Sequence, residues 1–181
     1  MTFSFRRISV LAGIFLALAT MPAAAHPGHV LGGWTAGFSH PLNGWDHFVV
    51  MVAVGLWAAQ HAGSARWAIP TTFVAVMGLG GIAGAFGAPL PGVEAMILMS
   101  VITLAALVLT RQRLPLAWGM AVVAVFAFFH GFAHGQEMPG PSMLVSFGAG
   151  FMVATALLHG LGYAAGRIAA EIAARRNIEH V

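Results

Sequence analysis

The chain has 181 residues, 59% of them hydrophobic and 7% charged, with a mean hydropathy of +0.86. Soluble domains carry about 25% charged residues, so the composition excludes a soluble fold and predicts an all-α integral membrane protein. The eight basic residues, all arginine, stand against five acids, so the high isoelectric point reflects scarce acids and not a nucleic-acid surface; the absence of cysteine excludes disulfides, thiolate metal sites and iron–sulfur clusters.

Residues 1–25 have the form of a signal peptide: Arg6 and Arg7, an apolar run from Ile8 to Ala19, then Ala23-Ala24-Ala25 before the cleavage point. The plainer alternative is an uncleaved anchor helix; cleavage leaves residues 26–181 as a single transmembrane helical domain that begins His26-Pro27-Gly28-His29. A free amine beside His26 or His29 can chelate a metal; the plainer reading is a short polar tail. Val30 to Ser39 is too short to cross about 30 Å of hydrocarbon, and Pro41 ends it, which predicts a short outer or re-entrant helix.

Five transmembrane helices are expected after it. The first starts near Gly44 and runs to Ala59, with Asp46 and His47 in its first turn, where an acid also suits a helix N-terminus. The second covers Trp67 to Ala88, and its Gly80, Gly81, Gly84 and Gly87 suit close helix packing. Glu94 opens a third span that reaches Thr110; the fourth runs from Leu114 to about Gly135; the fifth runs from Ser142 to about Gly166 and carries His159. Arg167, Glu171, Arg175 and Arg176 form a polar amphipathic tail.

With a cleaved signal the mature N-terminus lies outside, and five spans put Arg66, Arg111, Arg113, Arg167, Arg175 and Arg176 in the cytoplasm, as the positive-inside rule requires. The same topology sends His40, Asp46 and His47, then Glu94, then His130, His134 and Glu137 to the outer ends of three helices. His130, His134 and Glu137 follow sixteen uncharged residues and share one helical face at i, i+4 and i+7. Imidazoles with carboxylates suit a divalent transition metal, and ionisable groups in a membrane helix mark functional sites. Taken singly, each has a duller reading: an interhelical hydrogen bond for a histidine, a helix-start acid for Asp46 or Glu94. His159 lies further towards the cytoplasm, either as a second station or as an interhelical hydrogen-bonding residue.

His40-Pro41-x-x-Gly44-x-Asp46-His47 and Phe129-His130-Gly131-x-Ala133-x-Gly135-x-Glu137 resemble the two signature motifs of the HupE/UreJ nickel/cobalt permeases, and Pro91-x-x-Glu94 and the stretch around Thr155 and His159 are similar to that family too. The resemblance implies a secondary permease of the bacterial inner membrane that imports Ni²⁺ or Co²⁺ as its substrate for hydrogenase or urease maturation, with no organic cofactor. Its motifs carry over onto His40, Asp46, His47, His130 and Glu137; His134 falls on a variable motif position. The partners implied are a divalent metal ion and the lipid bilayer, not nucleic acid, and a homo-oligomer is compatible. Three rivals stand beside this reading. They are a bis-histidine haem protein using His47 and His130, an intramembrane hydrolase using Ser100 with His130 or His134 or else a zinc-activated water, and a metal-binding accessory without transport.

Overall fold

The structure is a computed structural model that describes residues 33–87, 89–138 and 140–178; the expected signal peptide, His26 and His29 lie outside the described residues. Among those residues the secondary structure is helical throughout. Six α-helices follow in order: α1 (Gly33–Asn43), α2 (Trp45–Ala59), α3 (Ala65–Ala85), α4 (Val93–Thr110), α5 (Leu116–Gln136) and α6 (Leu144–Ile178), with one 3-10 turn at Pro141–Met143 before α6. Helices α3 to α6 are each long and apolar enough to cross a membrane, and α1 with α2 passes the same test as a pair bent by 81°. The chain therefore has the helices of a multi-pass membrane protein.

Two boundaries differ from the sequence expectation. Helix α1 runs through Pro41 to Asn43. Proline costs a helix one hydrogen bond and crowds the carbonyl four residues back, but here the helix continues past it and the break falls at Gly44, the one non-helical residue between α1 and α2 (φ −92°, ψ 115°). Helix α6 does not stop at Gly166 but absorbs the polar tail, whose alanine, arginine and glutamate residues favour a helix and which contains no proline.

Close backbone packing sets the frame. A Cβ built on Gly131 would fall on the Met77 carbonyl oxygen, one on Gly135 on that of Gly81, and ones on Gly80 and Gly84 on those of Phe128 and Phe132. Small residues thus let α3 and α5 approach to backbone contact, the packing mode of membrane helices. Gly55 of α2 meets the His159 carbonyl of α6 in the same way, and Gly37 of α1 meets that of Phe147, so α6 runs beside both halves of the bent pair. Gly87, grouped with the packing glycines by sequence, instead sits in the turn after α3 with φ 71° and no neighbour near its Cβ position.

At the other end of the bundle α2 closes onto α4. Helix α4 ends with Arg111 in the left-handed region (φ 54°), the Gln112 N–H donating to the Leu107 carbonyl at 3.1 Å. The carbonyls exposed by that ending are taken by α2: Trp57 Nε1 donates to Gln112 at 2.7 Å and Gln60 Nε2 to Val108 at 3.0 Å. Trp67 stacks on Tyr163 at 5.6 Å, which puts Arg66 and Arg167 at this same end. Trp57, Phe73, Met51, Ile69, Met77 and Leu104 fill the core, while Phe86, Trp118 and Val145 point outwards as lipid-facing residues do.

Candidate metal centre

Imidazoles from three helices meet at the end of the bundle opposite the arginines. His130 and His134 lie one turn apart on α5 and are 0% and 3% exposed. His47, in the first turn of α2, sets its ring against both, with centroids 4.8 Å from His130 and 4.1 Å from His134. His40 of α1 packs edge-on to His134 at 4.6 Å. The bend at Gly44 makes this convergence: α1 and α2 both pack along α6, and the bend between them aims the His40 and His47 rings at the end of α5.

These side chains form two groups with His134 in common. Ligand atoms of His47, His130 and His134 lie within 4.8 Å of one another in a largely buried inner group, and those of His40, His134 and Glu137 do so in a more exposed outer group. The inner group is poor in protein partners. His47 Nε2, His130 Nδ1 and both ring nitrogens of His134 are buried without a hydrogen bond. Buried polar atoms are nearly always hydrogen-bonded, and an exception requires an explanation; a coordinated ion supplies one.

The remaining nitrogens of the inner group are held. Asp46 Oδ1 accepts the backbone N–H of His47 at 2.8 Å and lies 2.6 Å from His47 Nδ1. The first contact satisfies an N–H that a helix start leaves free; the second fixes the ring, so Nδ1 carries the proton and Nε2 is left with its lone pair. Asp46 therefore joins neither three-residue group but orients one member of the inner one, as carboxylates commonly do behind metal-binding histidines. Ser100 of α4 contacts His130 Nε2 at 2.9 Å from a wholly buried position.

The outer group holds one hydrogen bond of its own, between His40 and Glu137. His40 Nε2 donates to Glu137 Oε2 at 2.8 Å, and His134 Nδ1 lies 3.6 Å from the same oxygen. The neighbouring His134 and His40 imidazoles hold the Glu137 carboxyl well below the usual carboxylate range. Its contacts are therefore complete above the ordinary carboxylate pKa and are lost only as pH falls through the depressed value. Glu137 presents a full negative charge at neutral pH, just beyond the end of α5.

Glu94 keeps its expected place in the first turn of α4, but its side chain is exposed and it enters neither group. His159 is 4% exposed, its ring nitrogens have no hydrogen-bond partner among the described residues, and it packs edge-on to Phe73 at 5.2 Å. Phe73 also faces His130 at 5.9 Å, so one phenyl ring separates the inner group from His159. Sequence reasoning gave Phe73 no role, and an aromatic in an apolar span carries no signal that would single it out. A cleft of about 230 Å³ opens at the same end of the bundle against Gly84, Gly135, Gln136 and Met138, but none of the histidines lines it.

The family model for "HupE / UreJ protein" matches residues 14–180. Over 140 residues, 77% of this chain and 73% of the relative, the sequence is 44% identical to "Protein HupE" of Rhizobium leguminosarum bv. viciae. No solved structure matches the chain. With the motif histidines gathered at one end of a helical bundle and the match running over nearly the whole sequence, this chain belongs to the HupE/UreJ family.

Proposed function

We propose that the protein is a secondary permease that imports Ni²⁺, or Co²⁺, across the bacterial inner membrane for the maturation of metalloenzymes such as hydrogenase or urease. The observation that carries this reading is the inner group: three imidazoles, those of His130 and His134 buried and that of His47 partly so, within coordination reach of one another, each with a buried nitrogen that no protein group satisfies. Imidazole suits nickel, and Ni²⁺ stands above Co²⁺ in the Irving–Williams order. The positive-inside rule puts the arginine end in the cytoplasm and the histidine end outside. A hydrated ion meets Glu137, His40 and His134 first and exchanges waters for these ligands. His134 then hands it to His47 and His130, since the two groups share that ring. Conduction requires that the ion also leave, so the site must not hold it too tightly.

The rivals fit the geometry less well. Rings of His47 and His130 in edge contact at 4.8 Å leave no slot for a haem plane between them. Ser100 touches His130 like a nucleophile beside its base. However, the serine is fully buried, its hydroxyl donates to the Ile97 carbonyl at 2.6 Å, and no third group orients His130 Nδ1. A metal-binding accessory shares every ligand with a permease and differs only in flux.

The test is radioactive nickel uptake into cells expressing the chain, beside Asp46→Asn and His130→Ala at matched protein levels. The parent is expected to take up nickel and His130→Ala to lose it; Asp46→Asn, which disturbs only the partner of His47, is expected to lose about 10- to 100-fold. Binding of Ni²⁺ by the purified parent without uptake would establish the accessory reading instead. Glu137→Gln removes the outer charge but not the inner imidazoles. It is expected to raise the nickel concentration for half-maximal uptake about tenfold, ~1.4 kcal/mol, with the maximal rate little changed, and an unaltered half-saturation would exclude Glu137 from the path.

A further inference from the structure

The contact between Ser100 and His130 admits one assignment that satisfies every proton. The serine hydroxyl has a single hydrogen. It lies 2.6 Å from the Ile97 carbonyl three residues back, a common bond for a helical serine, and 2.9 Å from His130 Nε2. If the hydroxyl donates to Ile97, the second contact is a hydrogen bond only when His130 Nε2 carries the proton and the serine oxygen accepts it. Nδ1 then holds a lone pair. The opposite tautomer would bury an Nδ1–H with no acceptor, since His130 Nδ1 has no partner.

We propose that Ser100 is a positioning residue for the metal site: it fixes His130 as the Nε2–H tautomer and so commits Nδ1 as the metal-binding atom. The inference rests on the reading of the inner group as a Ni²⁺ site. It gives α4 its part in that site, made by a hydroxyl near mid-helix instead of by Glu94 at its start. It also pairs the two helices that present imidazoles to the ion. Asp46 holds Nδ1 of His47 and frees Nε2; Ser100 holds Nε2 of His130 and frees Nδ1. A ring whose second nitrogen is held loses its freedom to flip or change tautomer, so the two free lone pairs stay in place before an ion arrives.

The test begins with the metal-free protein in detergent, ¹⁵N-labelled at histidine. Two-bond proton–nitrogen spectra report the tautomer of each ring, and the His130 signals are identified by their loss in His130→Gln. The expected result is an Nε2-protonated, Nδ1-bare ring in the parent, a mixture of tautomers in Ser100→Ala, and restoration in Ser100→Thr, which keeps the hydroxyl. Titration with Ni²⁺ alone is expected to show affinity lowered roughly 10- to 100-fold in Ser100→Ala and recovered in Ser100→Thr. A parent ring protonated at Nδ1 overturns the proposal without need of any variant, as does Ser100→Ala binding Ni²⁺ like the parent. An Nε2-protonated parent that binds no Ni²⁺ overturns the metal reading, and the positioning role with it, while the hydrogen bond itself stands.

Discussion

Replacing His134 by alanine is expected to abolish nickel uptake, a loss of at least about 100-fold, and to abolish binding with it. The reason is its place in both groups: the outer one with His40 and Glu137 and the inner one with His47 and His130. Removing His40 leaves the inner group whole, so His40→Ala is expected to slow capture at low nickel while uptake persists at high nickel. Removing His130 leaves the outer group whole, so His130→Ala is expected to keep weak binding to the purified protein but lose flux. His134→Ala alone should lose both binding and flux. The measurement is uptake across a range of nickel concentrations beside calorimetric binding to the purified variants, each first shown to be monodisperse. Binding by His134→Ala at parental strength would break the link between the two groups.

Much of this centre was legible in the sequence because ionisable residues in so apolar a chain have few places to go. His40, Asp46, His47, His130, His134 and Glu137 stand at the ends of uncharged runs, and counting spans assigns those ends to one side. What counting cannot give is direction around a helix axis. Glu94 shares that level yet points to the surface, while Ser100, further along the same helix, faces His130. The difference depends on how α4 is rotated, which is decided by packing against α2 and α5. The role of Asp46 was hidden for a similar reason: ligand and orienting carboxylate have the same residue type, and only the 2.6 Å contact with His47 Nδ1 separates them. Gly80 and Gly84 were legible as packing residues from their spacing, whereas Gly131 and Gly135, equally close to a neighbouring backbone, were concealed inside a motif read for its histidines.

That concealment leads to the second large effect. Gly131→Val is expected to prevent assembly of the bundle, or to destabilise it by about 3 kcal/mol or more. A Cβ at this position would occupy the space of the Met77 carbonyl oxygen and lie 2.9 Å from the Gly81 nitrogen. Backbone atoms cannot swing aside like the end of a side chain, so α3 and α5 would have to separate along the whole seam that Gly80, Gly84 and Gly135 also form. Gly148→Ala supplies the contrast, because nothing lies within 4 Å of its Cβ position. In a helix interior alanine is favoured over glycine by roughly 0.5–1 kcal/mol, so that variant should melt at or slightly above the parental temperature. Thermal unfolding in detergent of Gly131→Ala, Gly131→Val and Gly148→Ala measures the series, with the smaller Gly131→Ala falling between the parent and Gly131→Val. The seam also sets the metal centre, since Gly131 follows His130 directly and Met77 lies on the facing helix. Any widening tolerated by Gly131→Ala moves His130 away from Ser100 and His47, so this variant should lose nickel affinity out of proportion to its loss of stability. An affinity that merely tracks the unfolded fraction would mean that the place of His130 does not depend on the seam between α3 and α5.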